Sequence, residues 1–183
     1  MRIFLSLLVS ASLAIHASAD DGWQKARWGM TKEEVAKLYP EAKPETKAGG
    51  RAGGEALTVG LYLAEYPLVD GYFHVGFLFN PEGKLAAVRV DENNSQPREG
   101  DKTFLRLKRL LTERYGKPVR EDPPEPMVTS LAWHDGDREI TLTQILDGLR
   151  ETSSITLTYN DRAKVTRTRE AKEAEEKSTL ERL

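Results

Sequence analysis

Residues 72–79 read YFHVGFLF, with Phe73, Val75, Phe77 and Phe79 alternating against Tyr72, His74, Gly76 and Leu78. A period of two with one apolar side marks a strand buried on one face only. It commits the chain to an antiparallel sheet that is covered on one side and free on the other. Leu57, Val59, Leu61 and Leu63 alternate in the same way, and Asn80-Pro81-Glu82-Gly83 is a turn from which residues 85–90 run back. Three further runs follow at 129–134, 139–145 and 154–159. In these, Leu131, Trp133, Ile140, Leu142, Ile155, Leu157 and Tyr159 share one side, while Thr141, Thr143, Thr156 and Thr158 share the other. His134-Asp135-Gly136-Asp137 joins the first two; Asp-Gly between alternating runs is a strong hairpin signal, so this segment reads as a turn and not as a metal-binding pair.

Each set of strands is preceded by a helix. Thr31 and Glu34 have capping-box spacing, Met30 and Val35 can form the hydrophobic staple, and the helix runs to about Tyr39 before Pro40 stops it. Gly29 lets the chain turn at the entry, and Trp28 can bury its ring beside the staple. Phe104, Leu107, Leu110 and Leu111 stripe a second helix over about 102–115, which ends at Gly116 with Pro118 beyond. Between the first helix and its strands, residues 43–55, KPETKAGGRAGGE, read as a glycine-rich connector; they lack the G-K-[ST] ending of a phosphate cradle. Residues 91–100 read as a polar loop that carries an Asn93-Asn94-Ser95 glycosylation pattern, and EDPPEP at 121–126 as a stiff linker. The expected fold is therefore α+β, built from two tandem α-β-β-β units over about 20–92 and 100–160. Both helices lie on one face of an antiparallel sheet.

Residues 161–183 lose the core pattern. Seven basic and six acidic side chains crowd this segment, with Glu173 and Lys177 at helical spacing, so a charged, solvated helical tail is expected.

At the other end, residues 1–19 combine Arg2, an apolar run of 13 residues from Ile3 to Ile15, and Ala17-Ser18-Ala19 before Asp20. That is the pattern of a secretory signal cleaved near Ala19, and its run is shorter than the roughly 20 residues a spanning helix needs. The chain is expected in the periplasm or outside the cell, without stable membrane insertion. Removing Arg2 moves the formal charge from −2 to −3, which argues against nucleic acid as the partner. With no cysteine, neither disulfides nor a lipid-modified cysteine are available, and stability must come from the core.

Trp28-Gly29-Met30-Thr31-Lys32-Glu33-Glu34-Val35, Tyr115-Gly116-Lys117-Pro118, Trp133, Ile140-Thr141-Leu142 and the run ITLTY at 155–159 together resemble a pattern of small exported bacterial proteins without an assigned function. The first half, with GMTKEEVAKL and the FNPEGKLAAV hairpin, also resembles the α-β-β-β unit of the small outer-membrane assembly lipoproteins. The tandem plan is similar to that of the beta-lactamase inhibitor proteins, which bind their target with an exposed sheet face. The chain departs from the former in lacking a lipobox cysteine and from the latter in lacking the stapling cysteines. The resemblance accordingly implies fold and compartment, not activity.

No Gly-x-Ser-x-Gly and no cysteine offer a nucleophile, and outside the signal only His74 and His134 remain, too few for a zinc site. The sequence thus implies no cofactor and no metal, and favours a non-catalytic protein over an enzyme. The free sheet side carries Tyr62, Tyr72, His74, Arg89, Thr141, Thr143, Thr156 and Thr158. Aromatic bodies with polar tips suit recognition of an envelope or secreted protein, or of an envelope polymer. Two other functions fit the same sequence: a small-ligand binder or sensor with its pocket between sheet and helices, and an envelope hydrolase that uses paired carboxylates.

Overall fold

A computed structural model describes residues 22–52, 55–69, 71–92, 97–122, 127–147 and 152–182. The 1–19 segment, the 93–95 pattern and residues 123–126 of the linker lie outside the described residues.

The described chain opens with a two-residue pair, β1 (Gly22–Trp23) and β2 (Ala26–Arg27), followed by α1 (Lys32–Leu38). The capping box forms: Thr31 Oγ1 accepts from the Glu34 N–H at 3.2 Å, and Glu34 Oε2 accepts from the Thr31 N–H at 2.7 Å. That backbone bond holds the Glu34 carboxyl below the usual glutamate range. Gly29, at φ +82°, turns the chain so that its N–H donates to the Leu85 carbonyl at 2.8 Å, while the Met30 carbonyl accepts from the Leu85 N–H at 2.7 Å. Trp28-Gly29-Met30 is thus a tie between the start of a helix and the turn of a distant hairpin. Trp28 and Met30 both pack on the core from there.

The remaining elements are β3 (Lys43–Ala52), β4 (Glu55–Leu68), β5 (Gly71–Phe79), β6 (Leu85–Glu92), α2 (Pro97–Tyr115), β7 (Arg120–Glu121), β8 (Val128–Asp135), β9 (Arg138–Asp147), β10 (Thr152–Asp161) and α3 (Arg162–Leu180). Strands β3 to β10 form one eight-stranded sheet in the order β3-β4-β5-β6-β10-β9-β8-β7, with antiparallel neighbours throughout. The last strand of each half meets the other at the centre, where Val88 faces Tyr159 and Val90 faces Leu157. The fold is α+β, and the strand order of the second half mirrors that of the first about that central pair.

Several expectations are corrected. The glycine-rich segment 43–55 is not a connector: β3 pairs with β4 from Lys43 opposite Tyr62 to Ala52 opposite Glu55. An edge strand needs ladder bonds on one flank only, and the register shifts at Pro44/Lys47 and Ala48/Gly50 absorb residues that do not fit a regular pleat. Each half therefore carries four strands, although β7 is only two residues long. Helix α2 starts at Pro97 rather than near 102, as the fixed φ of proline suits a first helical position. Leu57, Val59, Leu61 and Leu63 do not share a side. A bulge between Val59 and Leu61 sends Leu57 and Val59 to a small cluster with Leu78 and Ala87, while Leu61 and Leu63 stay in the main core. Gly60 permits this bulge, since a Cβ there would lie 2.6 Å from the Phe79 ring.

Helices α1 and α2 cover one sheet face. Val35 of α1 and Phe104, Leu107 and Leu111 of α2 are buried in one cluster with Phe73, Val75, Phe77, Trp133, Ile140, Leu142 and Leu157. Leu110 stays 40% exposed, outside the stripe. Helix α2 approaches β10 closely, because a Cβ on Gly100 would lie 2.5 Å from Ser153 Oγ. Beyond its end, the Gly116 carbonyl accepts from Trp133 Nε1 at 3.0 Å.

The charged tail is helical and packs on the opposite face. Asp161 caps it, accepting from the N–H groups of Ala163 and Lys164 at 2.9 and 3.2 Å. Arg169 Nη1 then reaches Glu139 Oε2 at 3.8 Å, while residues 170–177 stand exposed.

Candidate functional site

Strand pairing places the residues predicted for the free face in adjacent rows. Thr141, Thr158, Arg89, Gly76 and Tyr62 stand opposite one another across five strands. The next row is Ser130, Thr143, Thr156, Asp91 and His74, and Tyr72 lies one row further out, opposite Pro67. The Tyr62 and His74 rings stack with centroids 6.1 Å apart and an interplanar angle of 1°. Much of the polar capacity is used within the face: Arg89 Nε donates to Asp91 Oδ2 at 2.7 Å, Thr156 Oγ1 donates to Asp91 Oδ1 at 2.9 Å, and the Ser130 and Thr143 hydroxyls are 3.4 Å apart. Tyr72 is the exception, 64% exposed. The His134–Asp137 segment is the turn of the β8–β9 hairpin, with Asp135 opposite Arg138. Among the described residues no group of three or more His, Asp or Glu side chains is placed to hold a metal ion.

The concave site is on the other side of the sheet, at the seam between the halves. A cleft of about 590 Å³ opens there. Its floor is the central strand pair, through Val90 of β6 and Tyr159 of β10. The first half contributes Trp23, Gln24, Tyr66 and Leu68; the second contributes Arg114 and Tyr115 from the end of α2, and Asp135 and Arg138 from the β8–β9 hairpin.

The aromatic wall is organised by Trp23, which is buried. Its ring meets Tyr66 edge-on at 5.4 Å, Phe77 at 5.8 Å and Tyr159 at 6.4 Å. Such offset and edge contacts are the favourable ones for aromatic quadrupoles and fix the ring orientations. Gln24 Nε2 donates to the Tyr66 hydroxyl, which ties the rim to β4. Burial pushes the Tyr159 hydroxyl above the ordinary tyrosine range; Tyr115 adds to the rise, and Arg138 and Arg114 oppose it. The hydroxyl is therefore a neutral donor at any physiological pH.

The polar wall is cationic. Arg138 is held by Asp135, whose Oδ2 accepts from Nη2, and by the Gly22 carbonyl, which accepts from Nη1 at 3.2 Å. Arg138 Nε is buried and has no hydrogen-bond partner among the described residues. The Arg114 guanidinium lies 5.3 Å from the Tyr115 ring centroid, in cation–π contact.

Alternation along the strands marks Tyr159 as core-facing and gives no sign of the rest of this site. The signal for it lies in the Arg114-Tyr115-Gly116 helix end and in Trp23-Gln24, short polar-aromatic pairs outside any alternating run. Set against family models, curated proteins and solved structures, the chain matches none.

Proposed function

We propose that this chain is an exported, non-catalytic binding protein whose ligand is a small organic molecule held in the seam cleft. The observation that carries the reading is a concavity of about 590 Å³ built jointly by both halves, with an aromatic wall and a cationic wall. Small-molecule sites run to about 300–1,000 Å³, use a few converging polar groups to fix orientation, and favour the boundary between structural units. On the sheet face, several polar groups already bond to one another. Asp135 is the one carboxylate lining the cleft and it is engaged by Arg138, so the paired acids of a hydrolase do not converge there. Export rests on the 1–19 segment. The absence, among the described residues, of a helix long and apolar enough to cross a membrane agrees with a chain that is not inserted through helices.

The test is a ligand-observed magnetic resonance screen of the mature chain, repeated with Leu68→Trp. Leu68 is half-buried at the cleft wall and packs on the core, so an indole there takes up cleft space, and an unchanged melting temperature is the check that the variant folds. Compounds that bind the native chain and are lost with the variant support the reading. Hits retained by the variant but lost with Tyr72→Ala and His74→Ala would move the site to the sheet face.

A further inference from the structure

We infer that the ligand of the seam cleft is a ring-bearing organic monoanion, a planar aromatic carboxylate, with its charge toward Arg114 and Arg138 and its ring against Tyr66, Trp23 and Tyr115. This rests on the reading of the cleft as a ligand site and adds the chemistry of its occupant.

Charge gives the first argument. Two guanidinium groups and one carboxylate line the cleft, and that carboxylate, Asp135, is bonded to Arg138. The balance is one positive charge, which a monoanion neutralises.

Hydrogen-bond capacity gives the second. The Arg138 side chain is 12% exposed, two of its nitrogens are bonded, and Nε is a buried donor with no acceptor among the described residues. Nε itself is closed off from the cleft, but Nη1 and Nη2 each carry a second N–H beyond the bonds to Gly22 and Asp135, and these are the donors an acceptor in the cleft would meet. Arg114 is exposed, packs on the Tyr115 ring and has no ion-pair partner among the described residues, so its planar fork can take a carboxylate in two-point fashion. The Tyr159 hydroxyl, held neutral, can donate to the same group.

Shape gives the third. Trp23, Tyr66, Tyr115 and Tyr159 are four of the ten residues that line the cleft. An aliphatic acid would meet the cations but leave that aromatic wall wetted, and a neutral sugar would stack on the rings but leave the two guanidinium groups without a charged acceptor.

The probes are 2-naphthoate, its neutral analogue 2-naphthamide, and cyclohexanecarboxylate, titrated calorimetrically into the mature chain with amide-shift mapping. Naphthoate should bind about tenfold or more tighter than naphthamide, as expected for a charge-assisted pair. It should also bind more tightly than the aliphatic acid, and weaken with added salt. Arg114→Gln should bring naphthoate to within about threefold of naphthamide, and Arg114→Lys should fall between, reflecting loss of the fork with retention of charge. Arg114 is exposed, so an unchanged melting temperature is the check that both variants fold. Naphthamide shifting the cleft resonances as strongly as naphthoate would overturn the anion assignment and leave the cleft reading standing. Shifts confined to residues outside the cleft, for every probe, would overturn the cleft reading itself.

Discussion

Glu139 is the most consequential side chain on the sheet face opposite α1 and α2. It is 2% exposed, next to Ile140 of the main core, and three basic groups surround it. Arg120 Nη1 is 3.5 Å from Oε1; His134 Nε2 and Arg169 Nη1 are 3.5 and 3.8 Å from Oε2. Replacing Glu139 with Gln keeps the volume and removes the charge. Deleting one partner of a fully buried pair costs roughly 3–5 kcal/mol. Two features reduce that figure here. Arg120 and Arg169 are 31% and 40% exposed, so both can re-solvate, and Arg120 keeps Asp122 at 3.0 Å. Oε2 has no hydrogen-bond partner among the described residues, and its contacts to His134 and Arg169 are long. The expected loss is about 1–2 kcal/mol, which for a domain of this size lowers the melting temperature by about 2–8 °C. Urea unfolding of native and Glu139→Gln chains measures the first quantity. Hydrogen exchange adds a local readout, because amides 162–169 of α3 should lose protection while those of β5 keep it. A variant as stable as the native chain, with α3 protection unchanged, would refute the claim that this cluster fastens the tail to the sheet.

Two further outcomes follow from the core. Tyr159 titrates above its unfolded value of about 10, so the folded form retains a proton that the unfolded chain releases. The associated stability is complete below about pH 10 and is lost above it, at about 1.4 kcal/mol per pH unit. Tyr39 shifts the same way, chiefly through burial. Urea midpoints taken from pH 8 to 11.5 should therefore fall less steeply in Tyr159→Phe than in the native chain, and equal slopes would contradict the assignment. Gly60→Ala should cost about 1–3 kcal/mol, because the new methyl meets the Phe79 ring at 2.6 Å in a packed core. A cost near zero in thermal unfolding would show that the bulge does not depend on glycine.

The architecture is legible where one local signal acts alone. Period-two runs such as 73–79 give strands, and the Thr31–Glu34 pair gives a helix start, because a half-buried strand and a capped helix need little beyond their own residues. Local signals fail where pairing overrides composition. KPETKAGGRAGGE has the residues of a loop and becomes β3 because the β4 edge supplies its hydrogen bonds. The bulge at Gly60 reverses the side that plain alternation assigns to Leu57 and Val59, as a one-residue slip must. The tail is legible as a helix but not as a packed one, since Arg169 finds its partner on β9, thirty positions earlier in the chain.

The two candidate surfaces differ in legibility for a physical reason. A sheet face is a property of alternation within strands, so Tyr62, His74, Arg89, Thr141 and Thr143 group together by their positions along the chain. A cleft at a seam is a property of how two halves meet. Trp23 and Arg114 are ninety-one positions apart and belong to different halves, and only the β6–β10 pairing brings them to one cavity. The gap lies where the β1–β2 turn and β4 of the first half face the end of α2 and the β8–β9 hairpin of the second. In this chain the gap is not filled by aliphatic side chains from either half. Leu68 and Val90 take part in its lining, but beside them stand four aromatic rings, two arginines, Gln24 and Asp135. A seam that served packing alone would close over Leu and Val at lower desolvation cost. The cationic and aromatic groups that line the seam are what the proposed binding function rests on.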